Sequence, residues 1–206
     1  MATKKNIKEE IIEEVEEVVE ETKKATKKKT VEKLTQTQKR KILKDAEAVI
    51  INNSGANIFY KDENLGIEIE LPSYGDQDIV ELEALRRMAV KSKGFFEKYW
   101  ILVVDFMCDD ERIEIEDVYD YLGISKYYKG MEDLPSGDFF DDLLLNDSIK
   151  NFRKYVDKLN SKLMTQLCNR AITLYQEGSF DSSQKINIIE EKINREHFFD
   201  DLKLED

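Results

Sequence analysis

Three carboxylates, Asp105, Asp109 and Asp110, close the apolar run Trp100-Ile101-Leu102-Val103-Val104. A Mg²⁺-dependent enzyme places oxygen ligands at the end of a rigid strand in this way, because a hard cation needs them to converge. A second carboxylate group to complete such a site is not identifiable, so these three are expected to form a solvated acidic turn. His197 is the single histidine and stands beside Phe198-Phe199. As a general base it would need a nucleophile or an orienting carboxylate next to it, and its setting points instead to the surface or to packing. The chain has no Gly-x-Gly-x-x-Gly, no Gly-Lys-Ser/Thr loop and no Gly-x-Ser-x-Gly elbow. Cys108 and Cys168 are the two cysteines and show no Cys-x-x-Cys spacing for zinc or redox chemistry, which suits a reduced intracellular setting. The expectation is a protein that is not an enzyme and carries no catalytic residue, no metal and no cofactor.

Ile115 to Leu122, followed by Gly123-Ile124-Ser125, has the pattern of a first helix and bend of a helix-turn-helix. The residues that would make the recognition helix are Lys126-Tyr127-Tyr128-Lys129-Gly130, and Gly130 and Pro135 leave it too short to fill a groove. A helix stop is the expected role. The alternative reading of the whole chain, a nucleic-acid-associated regulator with a degenerate helix-turn-helix-like segment, rests on this stretch.

The elements that must position these residues begin with charge. The formal net charge is −12 and the pI about 4.8, which opposes binding to phosphate backbones except through local basic segments. Residues 1–29 hold eight lysines and eight glutamates, so the excess negative charge lies on the remainder. Within that arm Ile7, Ile11, Val15, Val18 and Val19 recur at helical spacing, with Ile12 beside them and glutamates between. Lys23, Lys24, Lys27, Lys28 and Lys29 follow, an order of charge that complements a helix dipole. A narrow aliphatic stripe of this kind is expected to dock on another molecule. Those five lysines could touch nucleic acid only non-specifically, with steep salt dependence.

Thr30 to Lys44 reads as a polar helical connector. Val49 to Ile51 and Asn57 to Tyr60, around the turn residues Asn52-Asn53-Ser54-Gly55, predict a hairpin. Ile67, Ile69 and Leu71 alternate with Glu68 and Glu70 as a half-exposed strand that Pro72 stops. A covering helix is expected through Ile79, Leu82, Leu85 and Met88, capped by Asp76 or Asp78. Trp100 to Val104 is expected to be the central strand. Asp147 is expected to cap one long amphipathic helix running from Ile149 to Tyr175 and stopping at Gly178, and Ser182 or Ser183 opens a last helix with Ile186, Ile189 and Ile193 inward. The motif Phe-Phe-Asp-Asp-Leu occurs at Phe139 to Leu143 and again at Phe198 to Leu202. The first copy is expected in the core, while Phe198, Phe199 and Leu202 join the arm as candidate partner-binding residues.

The fold expected is α+β: an N-terminal helical arm and connector (1–45), a small antiparallel sheet with a covering helix (46–115), and a helical region (116–206) with a C-terminal helical hairpin. No run approaches the roughly 20 apolar residues of a membrane span, so no membrane partner is expected.

Val49 to Asp105, through Tyr74-Gly75-Asp76, Leu82, Leu85, Met88, Phe95-Phe96 and the strand to Asp105, resembles structural proteins of tailed bacteriophages from AT-rich hosts. Ala171 to Glu191, with Leu174-Tyr175-Gln176-Glu177-Gly178 and Lys185-Ile186, is similar in kind. The resemblance implies a head, neck or tail component of a virion, made in the host cytoplasm, whose partners are other virion proteins and further copies of itself. It carries over no catalytic residue.

Overall fold

The computed structural model describes residues 33–64, 66–128 and 139–202. The aliphatic stripe Ile7, Ile11, Val15, Val18 and Val19 and the lysines 23–29 lie outside the described residues.

Helix α1 (Gln36–Leu43) opens with a capping box, Thr35 accepting from the Gln38 amide while the Gln38 side chain accepts from Thr35. The antiparallel strands β1 (Glu47–Asn52), β4 (Gln77–Glu81) and β5 (Ile101–Met107) form one sheet in the order β4-β1-β5. Strands β2 (Ile58–Asp62) and β3 (Ile67–Leu71) form a separate antiparallel pair. The architecture is therefore α+β with small antiparallel sheets, as the sequence patterns imply.

The pairing differs from expectation in two respects. β1 does not form a hairpin with β2; it is the middle strand, and β5 is an edge. The turn chemistry of Asn52-Asn53-Ser54 is spent on burial instead. Asn52 Nδ2 donates to the carbonyls of Ala56 (2.9 Å) and Leu71 (2.8 Å), and Asn52 Oδ1 accepts from the Ser54 amide (2.8 Å) and hydroxyl (2.9 Å). Asn53 Nδ2 reaches the Tyr99 carbonyl at 2.9 Å. These three buried residues tie the end of β1 to the end of β3 and to the start of β5, filling backbone acceptors that would otherwise be orphaned.

The apolar run of β5 reflects cover on both faces of the sheet and not a central place in it. It carries one extra residue, Val104, opposite the Val49–Ile50 step. Beyond that bulge Ile50, Ile51, Leu102 and Val103 are all buried, so both faces of the sheet are covered there. Before it only one face is.

Helix α2 (Leu82–Lys91) follows β4 without a connecting residue and buries Leu82, Leu85 and Met88, the expected stripe. Its start lies later than expected: Ile79 belongs to β4, and no side chain caps the helix. Asp76 instead accepts from the Ser73 amide at 2.7 Å to close the preceding turn. A short α3 (Gly94–Glu97) leads into β5.

Helix α4 (Ile115–Leu122) has Glu114 and Asp117 in a capping box and ends on Gly123 at φ 74°, a left-handed position that glycine adopts without strain. Asp117 also takes Lys39 at 2.6 Å, which ties α1 to α4. Tyr121 donates to Glu83 at 2.7 Å and joins α4 to α2. α5 (Ser125–Tyr128) is a single turn.

After α6 (Phe139–Asp141) the chain makes a π-helical turn over Asp142–Asn146. The expected long helix is two: α7 (Ile149–Lys158), capped by Ser148 rather than Asp147, and α8 (Ser161–Gln176). The break has a cause in the sequence. Leu159 is extended, and Asn160 accepts from the amides of Lys162 and Leu163, both at 3.0 Å, so a new helix starts there. α9 (Ser183–Ile193) packs on α7 and buries Lys185, Ile188 and Ile189, while Ile186 and Ile193 are half-buried. α10 (Phe198–Asp201) follows.

Candidate functional site

The acidic turn after β5 is internally committed. Asp105 Oδ1 accepts from the Phe106 amide at 2.8 Å. Asp110 holds Arg112 in a fork, with contacts of 2.8 and 2.6 Å, and accepts the Arg112 amide at 3.1 Å. That guanidinium holds the Asp110 carboxyl down at about 2. Asp109 is exposed. Among the described residues no three metal-ligating side chains converge.

His197 stands at φ 60°, with Nδ1 at 3.3 Å from Asp200. Its side chain is 79% exposed and that of Asp200 72%, so water screens the pair. They lie in an open cleft of about 970 Å³ with Tyr175, Asp181 and Glu190.

The helix-turn-helix-like segment turns its described aromatics inward. Tyr128 is buried and Tyr119 half-buried, their rings stacked 4.0 Å apart. The Tyr127 carbonyl accepts from the Tyr99 hydroxyl at 2.9 Å.

The two Phe-Phe-Asp-Asp-Leu copies diverge in use. In the first, Phe140 and Leu143 are buried, and Asp141 takes Arg170 in a fork with both contacts at 2.6 Å. The same guanidinium lies 4.4 Å from the Tyr74 ring centroid. In the second, Phe199 is 1% exposed and packs edge-on against Tyr175 and Phe180. Its ring is filled by its own chain, whereas Phe198 and Leu202 are half-buried.

The surface that sequence reasoning missed is the face of the three-stranded sheet that no other described element covers. Register places Ile79, Val49 and Asp105 in one cross-strand row and Glu81, Glu47 and Met107 in the next. Ile79 is 55% exposed and Met107 42%, with Val49 half-buried between the edges. Glu47 and Glu81 are directly opposed, a like-charge pair that destabilises a sheet in isolation. Reading Ile79 as helical concealed this face, because the alternation of Gln77 to Glu81 is only five residues long.

Comparison with protein-family models, curated proteins and solved structures returns no match to this chain. Among the described residues no helix is long and apolar enough to cross a membrane.

Proposed function

We propose that this chain is a non-catalytic structural or assembly protein of a tailed-bacteriophage particle, acting through protein–protein contacts of its N-terminal segment and its body. The observation that carries the reading is the open sheet face, where Ile79 and Met107 are exposed beside the opposed acids Glu47 and Glu81. Aliphatic area ringed by carboxylates gains on contact with a surface that supplies both apolar groups and cations. The same sequence contains that chemistry in Ile7, Ile11, Val15, Val18 and Val19 followed by the lysines 23–29. A second copy is therefore the occupant. The engagement of Asp105 and Asp110 in structural hydrogen bonds supports a contact role over chemistry.

The test is the molecular mass in solution over a concentration series. The native chain assembles to a multiple of 24.2 kDa, and both an Ile79→Lys/Met107→Lys variant and an Ile11→Lys/Val15→Lys variant fall to the monomer with unchanged circular dichroism. A native chain that stays monomeric throughout, or an assembly indifferent to both pairs of substitutions, overturns the reading.

A further inference from the structure

A pocket of about 590 Å³ opens between the start of β2, the α3–β5 junction and one face of α8. Its size is that of a small-molecule site. In a chain in which 37% of residues are charged, none of the described residues lining it carries a charge.

Its two walls are chemically distinct. One is aromatic: Phe59 from β2, Phe95 from α3, and Trp100 just before β5. Phe59 is 52% exposed, the rings of Phe95 and Trp100 meet edge-on with centroids 5.9 Å apart, and both are half-buried. Lys98 Nζ sits 4.6 Å from the centroid of the Trp100 ring. The other wall is a row of polar side chains on α8, Gln166, Asn169 and Thr173, whose spacing of three and four residues sets them on one helix face.

Gln166 closes the base of that wall. It is 5% exposed and its Nε2 donates to the Lys98 carbonyl at 3.1 Å, which fixes the amide. Its Oε1 is shut off from solvent, so the polar atoms open to the pocket on this wall come from Asn169 and Thr173. Thr173 has its own proton committed to the Asn169 carbonyl at 3.1 Å, so its oxygen is left as an acceptor.

We propose that this pocket binds a neutral saccharide, its sugar ring laid by its C–H face against Phe59 and its hydroxyls shared between Asn169 and Thr173. A sugar supplies what both walls lack. Its hydroxyls donate to the Thr173 oxygen and exchange hydrogen bonds with the exposed Asn169 amide, and its C–H groups suit the electron-rich face of an aromatic ring. The uncharged lining and the net charge of −12 disfavour nucleic acid, whose phosphates need cations.

Trp100 is the sole tryptophan of the chain, so emission excited selectively over tyrosine reports on the surroundings of a ring that lines this pocket. The experiment titrates the full-length protein with maltohexaose, cellohexaose and N-acetylchitohexaose. At least one gives a saturable change in emission with a midpoint below about 10 mM, a weak but specific range. Phe59→Ala and Asn169→Ala, both at exposed positions, each weaken it at least tenfold while the melting temperature stays within the error of the native value. A heparin-derived hexasaccharide gives no saturable change. The proposal is overturned if none of the three neutral sugars saturates, if the anionic sugar binds as well as they do, or if Phe59→Ala binds like the native chain.

Discussion

Tyr119 and Tyr128 stack with their ring centroids 4.0 Å apart and direct both hydroxyls at a single residue of the sheet edge, Val103. Tyr128 accepts from the Val103 amide at 2.8 Å, and Tyr119 donates to the Val103 carbonyl at 3.2 Å. A strand edge presents unpaired backbone groups, and here two side chains occupy them. Tyr128→Phe strands a buried amide, whereas Tyr119→Phe removes a longer bond to a carbonyl beside a half-buried ring. Urea unfolding is expected to cost about 1–3 kcal/mol for Tyr128→Phe and less for Tyr119→Phe. The reverse order would contradict the assignment of donor and acceptor.

The same rings set the alkaline limit of the fold. Burial pushes the Tyr119 phenol up to about 12, with Glu116 adding to it. Burial, followed by the bond to Glu83, does the same for Tyr121. Tyr128, fully enclosed, is raised further. A phenol whose folded value is raised favours the fold while neutral, so this contribution is complete below the ordinary value of 10.0 and is lost as pH rises through about 12. Phenolate absorbance and circular dichroism followed over that interval should change together. Free titration of all nine tyrosines near pH 10 would contradict the burial.

Lys185 is 3% exposed and donates to the carbonyls of Leu143 (3.1 Å) and Leu144 (2.7 Å), in the π-helical turn. A π turn displaces carbonyls from the ordinary ladder, and the ammonium collects two of them. Lys185→Met keeps the length of the side chain and orphans both acceptors. The expected loss is about 2–4 kcal/mol by thermal or urea unfolding, since each orphaned buried acceptor costs roughly 1–3 kcal/mol. A neutral outcome would mean that the turn relaxes to an α-helical one.

Asn52 offers the sharpest test of the buried turn, because its two amide atoms have opposite duties. Asn52→Asp replaces the group donating to Ala56 and Leu71 by an oxygen facing their carbonyls. The expected cost is above about 3 kcal/mol at neutral pH, partly recovered on acidification as the carboxyl regains a proton. Asn53→Asp should behave similarly but more mildly, since Asn53 makes one such bond, to Tyr99.

How much of this was readable in the sequence depends on whether the signal was periodic. The alternation of Ile67 to Leu71 and the stripe Leu82, Leu85, Met88 appear as expected, because each is one face repeated several times. The pairing of β1 was not readable: Asn-Asn-Ser is turn chemistry by type, and only the three-dimensional surroundings reveal that Asn52 is buried and bonded to strands distant in sequence. The break at Asn160 had a signal, Asn-Ser in a capping pair, overridden by the apolar stripe that continues across it. The two site surfaces were not readable either. The sheet face depends on register across three strands, and the uncharged pocket gathers Phe59, Trp100 and Asn169 from three separate parts of the chain.

The middle of both sheet edges is closed by the chain's own groups. Asp78 accepts the Ile79 amide at 2.8 Å on one side; Asp105, Tyr119 and Tyr128 do the equivalent on the other. Ribbon-like growth by strand addition is thereby discouraged at its starting points. A neighbouring molecule therefore meets side chains at these positions, Ile79 and Met107 among them, before it meets free backbone.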